Sequence, residues 1–276
     1  MNNSNLCAIE VKNLNYSFDE VNILHDINID FKKNKFYSII GPNGSGKTTL
    51  LKNIAKTLKP YKSTVFIKDK DILDLKSKAL ARKLAVVPQN SDLNMDFSVQ
   101  DIVLMGRAPY FSKLQSESEN DYVIAKHAME MTNTWKFHDK YINQLSGGEK
   151  QRVLIARALT QDTDIILLDE PISNLDIYHQ IEILDNVKSL SKKITVIMVL
   201  HDLNFAAQYS DHVILVNSGR VVVQGAPQEV LTEKNIKKVY KINVCIIKNP
   251  VTGKPYIIPI GQERDYPNKQ NGNLND

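Results

Sequence analysis

Short apolar runs separated by polar, turn-forming residues dominate the first third of the chain. Residues 48–58 differ, because their apolar positions recur with the spacing of one helix face and so predict a helix. Segment 41–46, just before that helix, is rich in turn-forming residues. The apolar runs predict β-strands at Ala8–Val11, Ile27–Phe31, Phe36–Ile40 and Leu84–Val87.

The middle of the chain has helical periodicity instead. Apolar positions predict one helix that begins at Val99 and another at Tyr122–Met131, on either side of the polar stretch Lys113–Asn120. A third helix is predicted after Ser146. We therefore expect 98–160 to be a helical subdomain inserted into the rest of the chain.

Strands and helices alternate again after this insertion. Strands are predicted at Ile165–Leu168 and Ile194–Leu200, with a helix near His179–Leu190 between them. Such alternation indicates an α/β fold with a mostly parallel sheet that is covered on both faces.

The end of the chain has weaker signals. A hairpin is predicted over 213–224 across Asn217-Ser218-Gly219, and two further short strands at 245–247 and 256–258. The tail Gln262–Asp276 is polar, and we predict that it is disordered.

Composition narrows the class of protein. The 276 residues are 42% apolar, enough for one or two domains with a sizeable core. Lys and Arg (35) barely exceed Asp and Glu (31), so the charge does not indicate nucleic acid. Cys7 and Cys245 match no zinc spacing, and so few cysteines fit a reducing compartment. No apolar run approaches the roughly 20 residues that cross a bilayer, and we expect a cytosolic chain that reaches membranes through partners.

The segment Gly41-Pro42-Asn43-Gly44-Ser45-Gly46-Lys47-Thr48 lies between a predicted strand and a predicted helix. It fits the phosphate-binding pattern of Gly, four residues and Gly-Lys-Thr, in the context that this pattern requires. Glycines let backbone N–H groups face a phosphate, and the helix N-terminus adds a favourable dipole. Lys47 can reach the β- and γ-phosphates, while the Thr48 hydroxyl can bind Mg²⁺.

The strand Ile165–Leu168 leads directly into Asp169 and Glu170. Because ligands bind where parallel strands end, both carboxylates are predicted to lie beside the phosphate loop. Asp169 would then hold Mg²⁺ on the Thr48 side, and Glu170 would lie nearer a nucleophilic water. Taken alone, this run could also be a core strand with a charged end.

Leu145-Ser146-Gly147-Gly148-Glu149 marks a helix N-terminus, because Ser146 and Glu149 have the spacing of a capping box. Gly147 and Gly148 are poor helix formers in a first turn. They leave bare backbone at a helix N-terminus, which suits an anion.

Together these segments resemble the nucleotide-binding subunit of an ABC transporter, over roughly residues 8–260. The Leu145–Glu149 segment is similar to the signature that separates this family from other phosphate-loop ATPases. The resemblance implies a RecA-like core with an N-terminal antiparallel β subdomain at about 1–97 and 161–240. It also implies the helical subdomain at about 98–160 and a C-terminal hairpin at about 241–261.

Other elements of the family follow in order. Gln89 resembles the Q-loop glutamine, and His201 resembles the switch histidine. Ser173-Asn174-Leu175-Asp176 resembles the D-loop, with Asn174 where Ala is commoner. Phe18 occupies the position of the aromatic residue that stacks on adenine, where Tyr is commoner. Taken alone, such a glutamine or histidine is more often structural, and Phe18 could be plain core.

The resemblance implies an Mg²⁺-dependent ATPase in which two copies enclose ATP. Residues 44–49, including Thr49, would hold the phosphates from one side, while Ser146, Gly147 and Gly148 approach from the other copy. Asp176 is also implied at the nucleotide.

The resemblance also assigns the reacting groups. Glu170 would act as general base or orient the water, and His201 would hydrogen-bond the γ-phosphate. Gln89 would contact Mg²⁺ and the water, and report the nucleotide state to the helical subdomain.

The implied partners are transmembrane permease subunits at the cytoplasmic face of the membrane and, indirectly, an extracytoplasmic substrate-binding protein; nucleic acid is not expected. Two segments, Met105–Tyr110 and Asn249–Pro255, resemble segments of importer ATPases for iron chelates, haem and cobalamin. The second of them resembles ferric-siderophore ATPases in particular. We expect Arg107–Gln115 to be exposed, with Tyr110 and Phe111 in the surface that docks on the permease.

Three alternatives remain open. An ABC export ATPase would use the same chemistry. A soluble ABC-type ATPase of DNA repair, translation or cluster assembly is disfavoured, because a long coiled coil and a second cassette are missing. A kinase or GTPase would not explain the signature segment.

Overall fold

The structure is a computed structural model that describes residues 7–89, 96–112, 116–173 and 175–260. In this part of the chain, twelve strands form three sheets. The strands are β1 (Cys7–Phe18), β2 (Val21–Lys32), β3 (Phe36–Ile40), β4 (Val65–Ile67), β5 (Lys70–Asp71), β6 (Leu84–Val87), β7 (Ile165–Asp169), β8 (Thr195–Val199), β9 (His212–Asn217), β10 (Arg220–Gly225), β11 (Asn243–Lys248) and β12 (Pro255–Ile260).

Helices occupy much of the remaining described chain. They are α1 (Lys47–Ile54), α2 (Ser77–Ala81), α3 (Val99–Leu104), α4 (Glu119–Met131), α5 (Gly147–Thr160), α6 (Ile177–Leu190), α7 (Leu203–Tyr209), α8 (Pro227–Val230) and α9 (Glu233–Tyr240). Short 3₁₀ turns lie at 72–74, 105–110, 135–137 and 142–144. None of the helices in the described ranges is long and apolar enough to span a membrane.

The central sheet has six strands in the order β10-β9-β3-β8-β7-β6. Strands β9, β3, β8, β7 and β6 are parallel, and β10 pairs antiparallel with β9 at one edge. Every residue of β3, β7 and β8 is buried, as expected for continuous apolar strands covered on both faces. The predicted α/β fold with a mostly parallel sheet is confirmed.

The two faces of this sheet have different covers. One face, with Ile166, Leu168 and Met198, packs against helices from α3 to α9, both included. The other face, with Leu167 and Ile197, packs against α1 and an antiparallel sheet of order β2-β1-β4-β5. The expected N-terminal antiparallel subdomain is therefore present, although β1 and β2 are much longer than the predicted runs, and β4 and β5 were not predicted.

The segment between the neighbouring strands β6 and β7 contains α3, α4 and α5. Each of these helices begins with a capping box, formed by Ser98 with Asp101, Ser118 with Asp121, and Ser146 with Glu149. Helices α3 and α4 both pack on α5. This helical segment lies against the core through α5.

Two local predictions are wrong. The helix predicted over 48–58 ends at Ile54, because Lys56 takes a left-handed conformation with φ 57°. Arg107 is not exposed but 6% accessible, in an ion pair with Asp121, and Tyr110 and Phe111 are half-buried. A charged residue can be buried here because it is paired. Residues 113–115 of the predicted docking segment, Asn174 and the tail 262–276 lie outside the described residues.

Candidate active site

The loop between β3 and α1 wraps closely around Lys47. Lys47 Nζ donates hydrogen bonds to the backbone carbonyls of Gly41, at 2.9 Å, and Pro42, at 3.0 Å. Burial of the side chain lowers the pKa of its ammonium group, while the nearby Glu170 and Asp169 carboxylates act to raise it. The loop therefore holds a buried cation at the N-terminus of α1.

A cleft of about 390 Å³ opens above this loop, and its lining residues are Ile23, Asn43, Gly44, Ser45, Gly46, Lys47, Thr48, Thr49, Gln89 and Glu170. Gly44 and Gly46 have φ of 73° and 99°, left-handed conformations that glycine adopts without strain. The buried hydroxyl of Ser45 has no hydrogen-bond partner among the described residues. A polar lining with an unsatisfied hydroxyl at a helix N-terminus fits the phosphate groups of a nucleotide.

Thr48 and Asp169 meet at the side of the cleft where β7 ends. Thr48 Oγ1 donates to Asp169 Oδ1 across 3.2 Å. Asp169 is buried, and burial raises the pKa of its carboxyl group, partly offset by the hydrogen bond from Thr48. Hydroxyl and carboxylate oxygens are the ligands that Mg²⁺ prefers. Within the described ranges, no three His, Cys, Asp or Glu side chains are grouped to hold a metal.

Glu170 lies at the centre of a three-residue network. One carboxylate oxygen accepts a hydrogen bond from Gln89 Nε2, and the other lies 2.5 Å from His201 Nε2. Gln89 follows β6, Glu170 follows β7 and His201 follows β8 closely, and these strands are neighbours in the sheet. Parallel strands thus deliver three residues that are far apart in sequence to one edge.

Glu170 also has a special backbone conformation. Its φ is 51°, in the left-handed region that non-glycine residues seldom adopt. Its carbonyl oxygen accepts hydrogen bonds from the backbone N–H and the hydroxyl of Ser173. This turn directs the chain away from the strand directly after the carboxylate.

Ser146, Gly147 and Gly148 do not line this cleft. Ser146 is exposed, and its hydroxyl donates to the Glu149 carboxylate at 2.7 Å. The hydrogen bonds from Ser146 hold the pKa of the Glu149 carboxyl below its usual value. Gly147 is exposed too, and a Cβ there would meet no atom within 4 Å.

Phe18 and Asp176, which were also predicted to contact the nucleotide, are not among the residues that line the cleft, and neither are Gly41 and Pro42. Phe18 ends β1 with 47% of its surface exposed and packs edge-on against Tyr16. Asp176 caps α6, where it accepts hydrogen bonds from the backbone and ring of His179, which lower the pKa of its carboxyl group. Conversely, Ile23 lines the cleft without having been predicted, and its only signal was its place in an alternating strand.

Comparison with known proteins finds relatives over most of the chain. The family model described as ABC transporter matches residues 24–173. The achromobactin transport ATP-binding protein of Dickeya dadantii is 40% identical over 94% of this chain and 97% of its own length. The iron(3+)-hydroxamate import ATP-binding protein of Bacillus subtilis is 36% identical over 90% of this chain and 93% of its own.

A solved structure has the same fold. The dimeric structure of a bacterial ABC transporter cassette, from a protein 31% identical in sequence, has a TM-score of 0.71. The match covers 79% of this chain and 98% of that one.

Proposed function

This chain belongs to the ABC transporter family as an ATP-binding subunit, and on that premise we propose that it hydrolyses ATP to drive import of a ferric siderophore-type chelate. The family membership gives the ATPase activity and its coupling to transport, and the import relatives give the direction, which is uptake. The chelate is proposed because the relatives that resemble this chain over nearly their whole length include an iron(3+)-hydroxamate import protein.

The phosphate loop would bind the nucleotide from one side. Lys47 lies at the N-terminus of α1, where its ammonium group can face the β- and γ-phosphates in place of its present carbonyl partners. The Ser45 hydroxyl and the backbone of residues 44–49 supply further donors. Phe18, the half-exposed last residue of β1, would stack on adenine.

Mg²⁺, when bound with the nucleotide, would neutralise charge on the phosphates. Thr48 and Asp169 would hold it, because their oxygens already face each other, together with Gln89, which also lines the cleft. Phosphate oxygens would complete the ligand set.

The observation that carries the proposal is the position of Glu170. Its carboxylate lies on the wall of the cleft, and Gln89 and His201 orient it from both sides. Glu170 would therefore orient the attacking water and accept its proton, and His201, next to that carboxylate, would hydrogen-bond the γ-phosphate. Catalysis otherwise consists of positioning and charge neutralisation.

The second half of the site would come from a second copy of this chain. Ser146 and Gly147 are exposed and Gly148 is half-buried, and all three lie outside the cleft of their own chain, which leaves them accessible to a partner. Asp176, exposed at the start of α6, would lie at the same interface. The dimeric structure of a similar cassette supports this arrangement.

In addition to pairing with a second copy, the chain would dock on transmembrane permease subunits at the cytoplasmic face of the membrane. A binding protein on the other side of the membrane would deliver the chelate to those subunits. The helical segment that contains α3, α4 and α5 would contact the permease, because it follows Gln89 in the chain and carries the signature.

Glu170→Gln tests this mechanism. The amide cannot accept a proton, so we expect the rate of phosphate release to fall about 100-fold or more while ATP binding persists. ATP that is bound but not hydrolysed should also trap a dimer, seen by size-exclusion chromatography with Mg-ATP.

Ser146→Arg in the Glu170→Gln background is the control. It should leave binding of a fluorescent ATP analogue by the monomer intact and abolish the dimer, because bulk is placed against the partner's phosphates. Wild-type hydrolysis by Glu170→Gln would contradict the role of Glu170. A dimer that survives Ser146→Arg would contradict the shared site.

A further inference from the structure

The segment Met105–Tyr110 has no part in the site described above, yet its Arg107 makes a buried polar contact with two helices of the helical segment. Arg107 is 6% exposed, and its Nε donates to Asp121 Oδ1 at 2.7 Å. Its Nη1 donates to the carbonyl of Thr160 at 3.1 Å. The guanidinium group thus joins the first turn of α4 to the last turn of α5, where carbonyls lack helical partners.

Tyr110 adds a second set of contacts beside Arg107. Its ring lies 4.0 Å from the Arg107 guanidinium carbon, and its hydroxyl donates to the carbonyls of Gln161 and Asp162. Gly106 approaches so closely that a Cβ there would lie 2.3 Å from the carbonyl oxygen of Arg157. The 3₁₀ turn therefore closes over the C-terminus of α5.

Gln161 carries the connection into the central sheet. Its side-chain amide donates to the carbonyls of Ala81 and Leu84, at the end of α2 and the start of β6. Arg82 donates in turn to the carbonyl of Pro109 at 2.9 Å. We name the set Gly106, Arg107, Tyr110, Asp121 and Gln161 the Arg107 clamp.

Two elements lead from the Arg107 clamp to the two halves of the site. Helix α5 has 14 residues, so it extends about 21 Å from the clamp to Ser146 at its other end. Strand β6 starts at Leu84 and leads to Gln89 beside Glu170. The clamp is thus the place where the element bearing the signature is fixed to the strand that leads to Gln89.

We propose that the Arg107 clamp fixes the direction of α5, so that Arg107 and Tyr110 position Ser146, Gly147 and Gly148 against the nucleotide of a second copy. Both are positioning residues, since neither lines the cleft. The inference rests on the proposed two-copy site. A small rotation of α5 about its fixed C-terminal end produces a larger displacement of Ser146 at its N-terminus, where the second copy would bind.

The test compares dimer formation with monomer binding in the Glu170→Gln background. Arg107→Met should raise the dissociation constant of the Mg-ATP dimer about tenfold, equivalent to about 1.4 kcal/mol, by sedimentation velocity. Binding of a fluorescent ATP analogue by the monomer should stay unchanged. Arg107→Lys keeps the charge beside Asp121 but lacks the planar stack on Tyr110, so it should give a smaller effect in the same direction.

Tyr110→Phe guards against loss of the fold. It keeps the ring beside Arg107 and removes only the hydroxyl that bonds Gln161 and Asp162, so it should fold and weaken the dimer about threefold, by the loss of about one hydrogen bond. Met129→Ala is the matched control, because it destabilises the same helical segment from a buried site outside the Arg107 clamp.

The outcomes are distinguishable. Weakened dimers in Arg107→Met and Tyr110→Phe, with Met129→Ala unaffected well below its melting temperature, support the clamp. Equal weakening in Met129→Ala, or wild-type dimerisation of both clamp variants, overturns it while the two-copy site stands. If the Glu170→Gln parent itself fails to dimerise, the proposed function fails and the inference falls with it.

Discussion

Helix α5 ends in two different ways. Its N-terminus is exposed, with Ser146 and Gly147 in solvent and a capping box that uses only the helix's own residues. Its C-terminus is closed by the Arg107 clamp, where the buried Arg107 donates a hydrogen bond to the carbonyl of the buried Thr160. The N-terminal end is open to a ligand, whereas the C-terminal end is hydrogen-bonded to another element through Arg107.

The difference separates two tasks within one rigid element. The clamped end holds the helix in place, and changes there should cost folding free energy. The exposed end contributes little to the fold beyond its cap, so changes there should act mainly on assembly with a second copy. The three predictions that follow test this division.

Gly106→Ala should have the largest effect on stability. The new Cβ would lie 2.3 Å from the carbonyl oxygen of Arg157, a backbone atom that cannot move without shifting the last turn of α5. We expect the free energy of unfolding to fall by about 3 kcal/mol, the cost of overpacking a closed contact. Urea denaturation measures it.

Gly147→Ala is the matched control at the opposite end of the helix. No atom lies within 4 Å of the added Cβ, so stability should stay the same or rise by up to about 1 kcal/mol, since alanine favours helix. An equal decrease in the free energy of unfolding in the two variants would contradict the difference between the two ends of α5.

Ser146→Ala should have an intermediate effect on the fold. Loss of the cap should lower the free energy of unfolding by about 1 kcal/mol. Ser98→Ala removes the same kind of capping box from α3 and should cost a similar amount. The two variants should differ in the dimer assay, because only Ser146→Ala should weaken the Mg-ATP dimer of Glu170→Gln. Equal weakening of the dimer by Ser98→Ala would show that Ser146 acts only as a helix cap.

The pH dependence of the same cap should give the smallest effect. Hydrogen bonds from Ser146 hold the pKa of Glu149 below its ordinary value of 4.5, so the ionised form stabilises the folded state. That contribution is complete above 4.5 and is lost as the pH falls through the lowered pKa. Glu149→Gln keeps the capping geometry without the charge, and should therefore be about 0.5 kcal/mol less stable than wild type at pH 7. Thermal melts should show this gap closing in acid; a constant gap would exclude the charge as its cause.

The phosphate loop and the strand ending in Asp169 and Glu170 could be predicted because each is encoded in contiguous residues. A motif of eight residues carries its own turn, helix start and cation. The parallel sheet was also predictable, since buried strands such as β3 and β7 are unbroken apolar runs. Gln89 and His201 were identified only through resemblance, because the sheet order brings them to Glu170.

The burial of Arg107 could not be predicted for a related reason. A charged residue in a turn is normally exposed, and its partners Asp121 and Thr160 lie 14 and 53 positions away. The position of Ile23 in the cleft could not be predicted either, because β2 reaches the cleft only through tertiary packing. Contacts that depend on how separate elements are placed leave no local pattern.

The helical segment lies between two strands that pair directly, although paired residues Leu84 and Ile165 are about eighty positions apart. The entropy of closing such an excursion grows only slowly, by about 0.6 kcal/mol for each doubling of its length. The length of the inserted segment therefore has little effect on the stability of the sheet, provided that its two ends connect to β6 and β7. A chain built this way can change its helical segment, by insertion, deletion or exchange, and keep the same ATP-binding core.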